Sequence, residues 1–250
     1  MMKPDKAFIL AAGFGTRLRP YTDHCPKPMV EVGGQSLITR SIDRLAEVGV
    51  RDVVVNLHYM GDVLRAHLED YMRGREDVRV HFSPEDPILD TGGGVKAALP
   101  MLGDAPFYVI AGDSLWEDGA QNALLRLAAG WDDAKMDILT LMQPLSRMVL
   151  TKGAGDFDML DGGRVRRSLD KTGTHMWTNI RLNHPRIFEG SSQGAFSFLP
   201  LMDACEAAGR FYALEHDGDW HHISTAQDLE AVREVFGAKM EKDERNSGAA

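Results

Sequence analysis

The sequence predicts an α/β fold: a Rossmann-like mixed sheet, mostly parallel and flanked by helices, followed by a smaller lobe. Three observations carry that expectation. Strand-like and helix-like segments alternate through residues 1–143. The strand-like segments are short unbroken apolar runs, as strands covered on both faces require. At Pro144 the alternation gives way to a hairpin pattern, so residues 144–238 read as the second part of one continuous domain, 1–238. The charged, small-residue stretch 239–250 is expected to be a flexible tail.

Taken in order, Ala7-Phe8-Ile9-Leu10 is a buried strand ended by small residues. Ser36 caps a helix with Leu37, Ile38, Ile42, Leu45, Ala46 and Val48 on one side. Gly49 stands where a left-handed helix stop is expected. Val53-Val54-Val55 is the second strand, and residues 62–72 form an amphipathic helix with Val63, Leu64, Leu68 and Met72 at helical spacing. Residues 78–82 make a third strand, and a short helix, 93–99, follows a glycine-rich turn. The fourth strand, 107–111, ends at Gly112-Asp113, and a helix at 122–128 and a strand at 137–142 come next. In such sheets ligands lie beyond the carboxyl ends of the strands. The loops after Leu10, Asn56, Phe82 and Ala111 are therefore expected to share one cleft. Beyond Pro144, residues 157–160 and 165–169 flank the turn Asp161-Gly162-Gly163 as a hairpin. Residues 175–182 are a further strand, and helices at 199–208 and 226–236 enclose a strand at 211–216.

Net charge of −9 with no basic run argues against a nucleic-acid partner. An acidic chain that handles anions must gather its cations locally, and Arg17, Arg19 and Lys27 stand close together near the start. Cys25 and Cys205 are far apart and match no metal-ligand spacing, so both are expected to be free thiols. The first apolar run, 7–12, is too short for a signal-peptide core or a membrane span. A cytoplasmic protein without a membrane partner is expected; nothing in the pattern fixes an oligomeric state.

The strongest chemical signal is Leu10-Ala11-Ala12-Gly13-Phe14-Gly15-Thr16-Arg17-Leu18-Arg19-Pro20. A buried strand feeds a loop of small residues, so backbone amides can approach a polyphosphate without side-chain obstruction. Thr16 adds a hydroxyl donor, and Arg17 a fork of donors matched to phosphate oxygens. Two glycines alone would read as a surface turn; the whole string points to phosphate. The Walker loop's Gly-Lys-Ser/Thr is missing, as is the third glycine of the dinucleotide fingerprint, which argues against ordinary ATPase chemistry and NAD binding. In Pro26-Lys27-Pro28 the flanking prolines stiffen the backbone, so the ammonium is held where it could neutralise a phosphate. Gly112-Asp113 ends a strand at the ligand edge, where a carboxylate can hold Mg²⁺ while the metal bridges phosphate oxygens. Alone, the lysine would read as a solvated loop residue and the aspartate as a cap.

Gly13-x-Gly15-x-Arg17, Pro26-Lys27-Pro28 and Gly112-Asp113, in that order, resemble the sugar-1-phosphate nucleotidylyltransferase family. Further similar segments point to its branch acting on N-acetylmuramate α-1-phosphate with UTP. They include Ser83-Pro84-Glu85, Leu89-x-Thr91-Gly92-Gly93-Gly94, Gly155-Asp156-Phe157, His184-Pro185 and Phe188-Glu189-Gly190. The resemblance implies a nucleotide-diphospho-sugar transferase fold, with a nucleotide-binding part at 1–143 and a sugar-binding part at 144–238. The substrates implied are a nucleoside triphosphate and a sugar 1-phosphate, with Mg²⁺ or Mn²⁺ as cofactor. It places Leu10, Ala11, Ala12 and Gly13 beside the nucleoside and Gly15, Thr16 and Arg17 on the triphosphate. Arg17, Lys27 and Asp113 are the implied catalytic residues, Asp113 also as metal ligand. Glu85, Thr91 and Gly92 would border the base, and Asp156 the sugar. Guanylyl transfer to mannose or heptose 1-phosphate, cytidylyl transfer to a phosphocholine-like acceptor, and a catalytically weak nucleotide-sugar-binding protein are the alternatives.

Three positions depart from the family pattern. A second metal-binding aspartate is replaced by His222 in Trp220-His221-His222-Ile223-Ser224-Thr225, and imidazole suits Mn²⁺ better than Mg²⁺. Asp217 and Asp219 stand near enough in sequence to compensate. Asn179 occupies a position usually held by glycine, which would direct a side chain toward the sugar. Ala111 replaces a polar residue of the uridylyltransferase branch.

Overall fold

Short apolar runs separated by amphipathic segments leave one economical arrangement, strands in the middle and helices on both faces. The computed structural model describes residues 3–148 and 150–247. Its first part comprises β1 (Lys6–Leu10), β2 (Glu31–Val32), β3 (Gln35–Ser36), α1 (Leu37–Glu47), β4 (Asp52–Leu57) and α2 (Gly61–Tyr71). It continues with β5 (Arg79–Pro84), α3 (Asp90–Leu102), β6 (Phe107–Ala111), β7 (Leu115–Trp116), α4 (Ala123–Gly130) and β8 (Ile138–Pro144). The second part holds β9 (Phe157–Met159), β10 (Val165–Arg167), β11 (His175–Asn183), α5 (Leu199–Ala207), β12 (Phe211–Glu215), β13 (Trp220–His221) and α6 (Ala226–Ser247).

The main sheet has nine strands in the order β10-β9-β11-β6-β1-β4-β5, with β8 paired to β11 and β12 paired to β8. β5, β4, β1 and β6 are mutually parallel, so their carboxyl ends share one edge. The chain leaves β1 for β4 and β5 on one side and then crosses to β6 on the other. That reversal makes the end of β1 a topological switch point, where such sheets bind ligands. β11 runs antiparallel to both β6 and β8 and is interrupted by a bulge between Trp177 and Arg181. α1, α2 and α4 bury Ile38, Ile42, Leu64, Leu68, Leu124 and Leu127 against one face. α3 and α5 bury Val95, Ala98, Leu102, Met202 and Cys205 against the other. The alternating mixed sheet expected from the sequence is present.

Local signals hold where they rest on backbone chemistry. The Ser36 hydroxyl accepts the Thr39 amide and caps α1, and Gly49 stands just past it at φ 95°. Asn122 caps α4 by accepting the amides of Leu124 and Leu125. Two boundaries differ. α3 begins at Asp90, so Gly92, Gly93 and Gly94 lie inside its first turns rather than in a preceding turn. α6 continues as helix to Ser247, through most of the stretch expected from residue 239 to be a tail. Among the described residues no helix is long and apolar enough to cross a membrane. Cys25 and Cys205 are both free thiols.

Candidate active site

A cavity of about 480 Å³ opens at the shared strand edge. Its walls come from residues at or just beyond the ends of β1, β4, β5 and β6, as the sheet topology requires: Ala11 to Arg17, Asn56, Glu85 and Asp113.

The loop after β1 sets the first wall. Gly15 takes φ 61°, a left-handed conformation that favours glycine. A Cβ there would meet the Lys27 Cβ at 3.0 Å and the Thr22 side chain at 3.1 Å. The Thr22 hydroxyl donates to the Gly15 carbonyl at 2.9 Å and fixes the bend. Thr16 and Arg17 follow in a single 3₁₀ turn with exposed side chains on the cavity wall. Arg17 has no ion-pair partner among the described residues, so its guanidinium is available to an anion.

Lys27 lies in a second 3₁₀ turn between Pro26 and Pro28. Its ammonium is hydrogen-bonded to the Asp113 carboxylate. That meeting depends on Gly112, whose amide donates to the Leu10 carbonyl at 2.8 Å. A Cβ on Gly112 would lie 2.9 Å from the same carbonyl oxygen and 3.2 Å from Pro28. The glycine thus lets the end of β6 close on β1, delivering Asp113 to Lys27.

A buried polar chain forms the opposite wall. Asn56, at the end of β4, accepts the Ala11 amide at 2.6 Å and donates to Glu85 at 2.7 Å. The second oxygen of Glu85 accepts the Leu89 amide at 2.7 Å. Glu85 is only 5% exposed, and those donors offset the cost of burying its carboxylate. Both residues therefore brace the glycine loop while presenting part of their surface to the cavity.

The remaining expected residues divide. Leu10, Ala11, Ala12, Gly13, Glu85, Thr91 and Asn179 line the cavity. Gly92 does not. Its amide donates to the Phe196 carbonyl at 2.9 Å, and a Cβ there would strike the Phe196 ring at 2.4 Å. Asp156 is also off the wall, bound to Lys171 at 2.6 Å and to the Trp177 amide at 3.2 Å. His222 stands just behind the wall, and Ser224, two residues on, lines it. The antiparallel pair β7–β13 matches His221 to Leu115 and so brings His222 beside the turn holding Asp113. His222 stacks on Trp220 with ring centroids 5.6 Å apart. Burial holds the His222 imidazole below its ordinary pKa, the nearby Asp113 carboxylate opposing the shift and Lys27 adding to it. Asp217 is bound to Arg126 and the Ala120 amide and does not line the cavity.

Ile88, Asp90 and Ser224 line the cavity without having been singled out from the sequence. Asp90 carries a signal only in three dimensions, a left-handed φ of 61° at the start of α3. Trp116, just beyond Asp113, is buried, with the Arg44 guanidinium 4.9 Å over its ring.

Asp113 offers one carboxylate to a divalent cation that also contacts phosphate. Among the described residues no group of three or more acidic, histidine or cysteine side chains is arranged to hold a metal ion by itself. Mg²⁺ needs no such cage, since it is commonly held by one or two carboxylates together with substrate phosphates.

Comparison with known proteins gives a consistent picture. Residues 6–147 match the family described as nucleotidyl transferase. Over 226 residues the chain is 35% identical to the N-acetylmuramate alpha-1-phosphate uridylyltransferase of Caulobacter vibrioides, covering 90% of this chain and 93% of that protein. A mannose-1-phosphate guanyltransferase of Aspergillus fumigatus is 44% identical over 110 residues, 43% of this chain and 30% of that protein. The solved UDP-glucose pyrophosphorylase from Acinetobacter baumanii superposes with a TM-score of 0.76 over 98% of this chain and 99% of its own, at 17% identity.

Proposed function

The chain belongs to the nucleotidyl transferase family and is a sugar-1-phosphate nucleotidylyltransferase, and we propose that it uses UTP and N-acetylmuramate α-1-phosphate. The observation that carries this reading is one cavity at the switch point in which a glycine loop, Arg17, Lys27 and Asp113 converge. Uridylyl transfer is preferred because the likeness to the uridylyltransferase spans nearly the whole of both chains, whereas a guanyltransferase such as that of Neurospora crassa, 39% identical over 90% of this chain, is covered over only 62% of its own length.

An oxygen of the sugar 1-phosphate attacks the α-phosphorus in line, and the bond to the bridging oxygen breaks to release pyrophosphate. The attacking phosphate is already ionised at neutral pH, so no general base is needed. Two polyanions must be brought together, and positioning with charge neutralisation is the protein's task. The amides of the glycine loop, the Thr16 hydroxyl and the Arg17 fork hold the triphosphate. Lys27 supplies a cation beside the reacting phosphates. Asp113 would hold the metal, Mg²⁺ or Mn²⁺, with the His222 imidazole adjacent. When bound, that ion neutralises charge on the phosphate oxygens.

Pyrophosphate release measured with UTP, GTP, CTP and ATP against a panel of sugar 1-phosphates tests the proposal. UTP with N-acetylmuramate 1-phosphate should give the highest kcat/KM. Preference for GTP and mannose 1-phosphate would replace the uridylyl reading. Normal nucleotide binding without turnover, in Mg²⁺ or Mn²⁺, would leave a binding protein.

A further inference from the structure

The bulge in β11 places Asn179 at the cavity and Arg181 behind it. Asn179 lines it at φ 59°, a left-handed conformation that asparagine tolerates better than most residues. Two residues on, Arg181 is 1% exposed. Its guanidinium lies between the Phe198 ring, 4.2 Å from the centroid, and the Trp177 ring at 5.4 Å. Among the described residues it faces no carboxylate, and its Nε and Nη2 atoms have no hydrogen-bond partner. Its one bond runs from Nη1 to the Asn179 Oδ1.

That bond decides which end of the Asn179 amide is spent. With Oδ1 accepting from the guanidinium, the Nδ2 group is left as a double donor, and among the described residues nothing accepts from it. A buried, uncompensated cation therefore stands behind a wall donor. Such a cation is costly to a fold and is offset by an anion brought to it. Loss of the charge by deprotonation is a poor escape, although burial pulls the guanidinium down to about 9.

We propose that Asn179 and Arg181 form the specificity element of the acceptor site, selecting a sugar 1-phosphate that carries a carboxylate on the sugar. The proposal rests on the nucleotidyl-transfer reading and narrows its acceptor class. N-acetylmuramate 1-phosphate has the required carboxylate; N-acetylglucosamine 1-phosphate is the matching acceptor without it. Both carry the same phosphate, so a cation serving only the phosphate would not tell them apart.

The test is the ratio of kcat/KM for those two acceptors, measured with whichever nucleoside triphosphate the enzyme prefers. The native chain should favour the carboxylated acceptor by at least ~10-fold, the scale of a charge-assisted hydrogen bond. Arg181→Met should cut that ratio ~10-fold or more, and Arg181→Lys should retain part of it. Asn179→Asp keeps the wall's shape and pairs with Arg181, so it guards against a folding defect. It should abolish the preference by presenting a like charge to the ligand. Equal losses for both acceptors in Arg181→Met, or no preference in the native chain, would overturn the proposal. Turnover of neutral acceptors alone would sink it while leaving nucleotidyl transfer intact. Absence of turnover with every acceptor, with nucleotide still bound, would sink both.

Discussion

Lys27 and Asp113 illustrate how much chemistry rests on single side chains here. Their hydrogen bond leaves each partly neutralised by the other, yet both face the cavity where phosphates are to be held. On the proposed reaction, polyanions would draw on the lysine and a divalent ion on the aspartate, which gives the two groups separate tasks. Asp113→Asn keeps the size and a weak acceptor while removing the charge. Turnover should fall at least ~100-fold, because charge neutralisation of the reacting phosphates is the main catalytic contribution. Steady-state pyrophosphate release checks this, and unchanged turnover would remove Asp113 from the reaction. Their meeting at one cavity was legible from sequence because each sits in a local pattern with a mechanical reason: a glycine bend, a proline-flanked lysine, a strand-ending Gly-Asp. Asp90 and Ser224 were not, since they reach the cavity only through α3 and the β7–β13 pairing. Gly92 was misplaced for a related reason. A glycine that admits a ligand and a glycine that admits another stretch of chain look alike in sequence.

The first turns of α3 show that second use at the level of the element. Three successive glycines would weaken an isolated helix by roughly 1 kcal/mol each relative to alanine. Here they let residues 194–198 lie directly against the helix: the amides of Gly92 and Gly93 donate to the Phe196 carbonyl at 2.9 and 3.1 Å. The Phe198 amide donates to the Thr91 hydroxyl at 3.0 Å, and Lys96 reaches the Ser191 carbonyl at 2.6 Å. Residues 191–198 are thereby clasped to the segment that carries Glu85 and Thr91. A Cβ on Gly93 would lie 2.2 Å from the Gly194 carbonyl oxygen, which is backbone and cannot swing aside. Gly93→Ala should therefore destabilise the protein by about 1–3 kcal/mol, the usual cost of overpacking, despite alanine's better helix propensity. It should also raise KM for the nucleoside triphosphate. Urea unfolding of the variant measures the first effect, and a midpoint equal to or above the native one would show that the clasp is looser than described. Propensity read from sequence stopped the helix at Gly93, whereas tertiary hydrogen bonds extend it to Asp90.

For the whole molecule, the alternating pattern was enough to foresee a mostly parallel sheet, because strands covered on both faces leave an apolar signature that survives in one sequence. The joining of the second part to the first was less legible. β11 enters beside β6, and β8 and β12 extend the sheet beyond it, through long-range pairings that no local signal encodes. That extension buries polar groups, and it makes the stability of the fold sensitive to pH. His216, which follows β12, is fully buried. Burial lowers its pKa below the ordinary value, while the backbone of Asp219 and the charges of Asp217 and Asp118 pull the other way and Arg126 assists. His184 is lowered for the same leading reason. Above about pH 6.5 the imidazole is neutral in both folded and unfolded chains, and the full stability is present. As pH falls below that value the unfolded chain takes up protons that the folded one refuses. Stability then drops by at most about 1.4 kcal/mol per pH unit for each such histidine, until the depressed folded pKa is reached. Carboxylates held low by their partners, such as Asp52 at about 2 beside Arg79, add their losses only in a more acidic range. Thermal unfolding at pH 7.5 and pH 5.0 should show the lower midpoint at pH 5.0. His216→Phe keeps the ring's bulk without its titration and should shrink that difference by ~2–4 °C, about 1 kcal/mol for a chain of this size. A pH difference as large in the variant as in the native chain would place the sensitivity elsewhere.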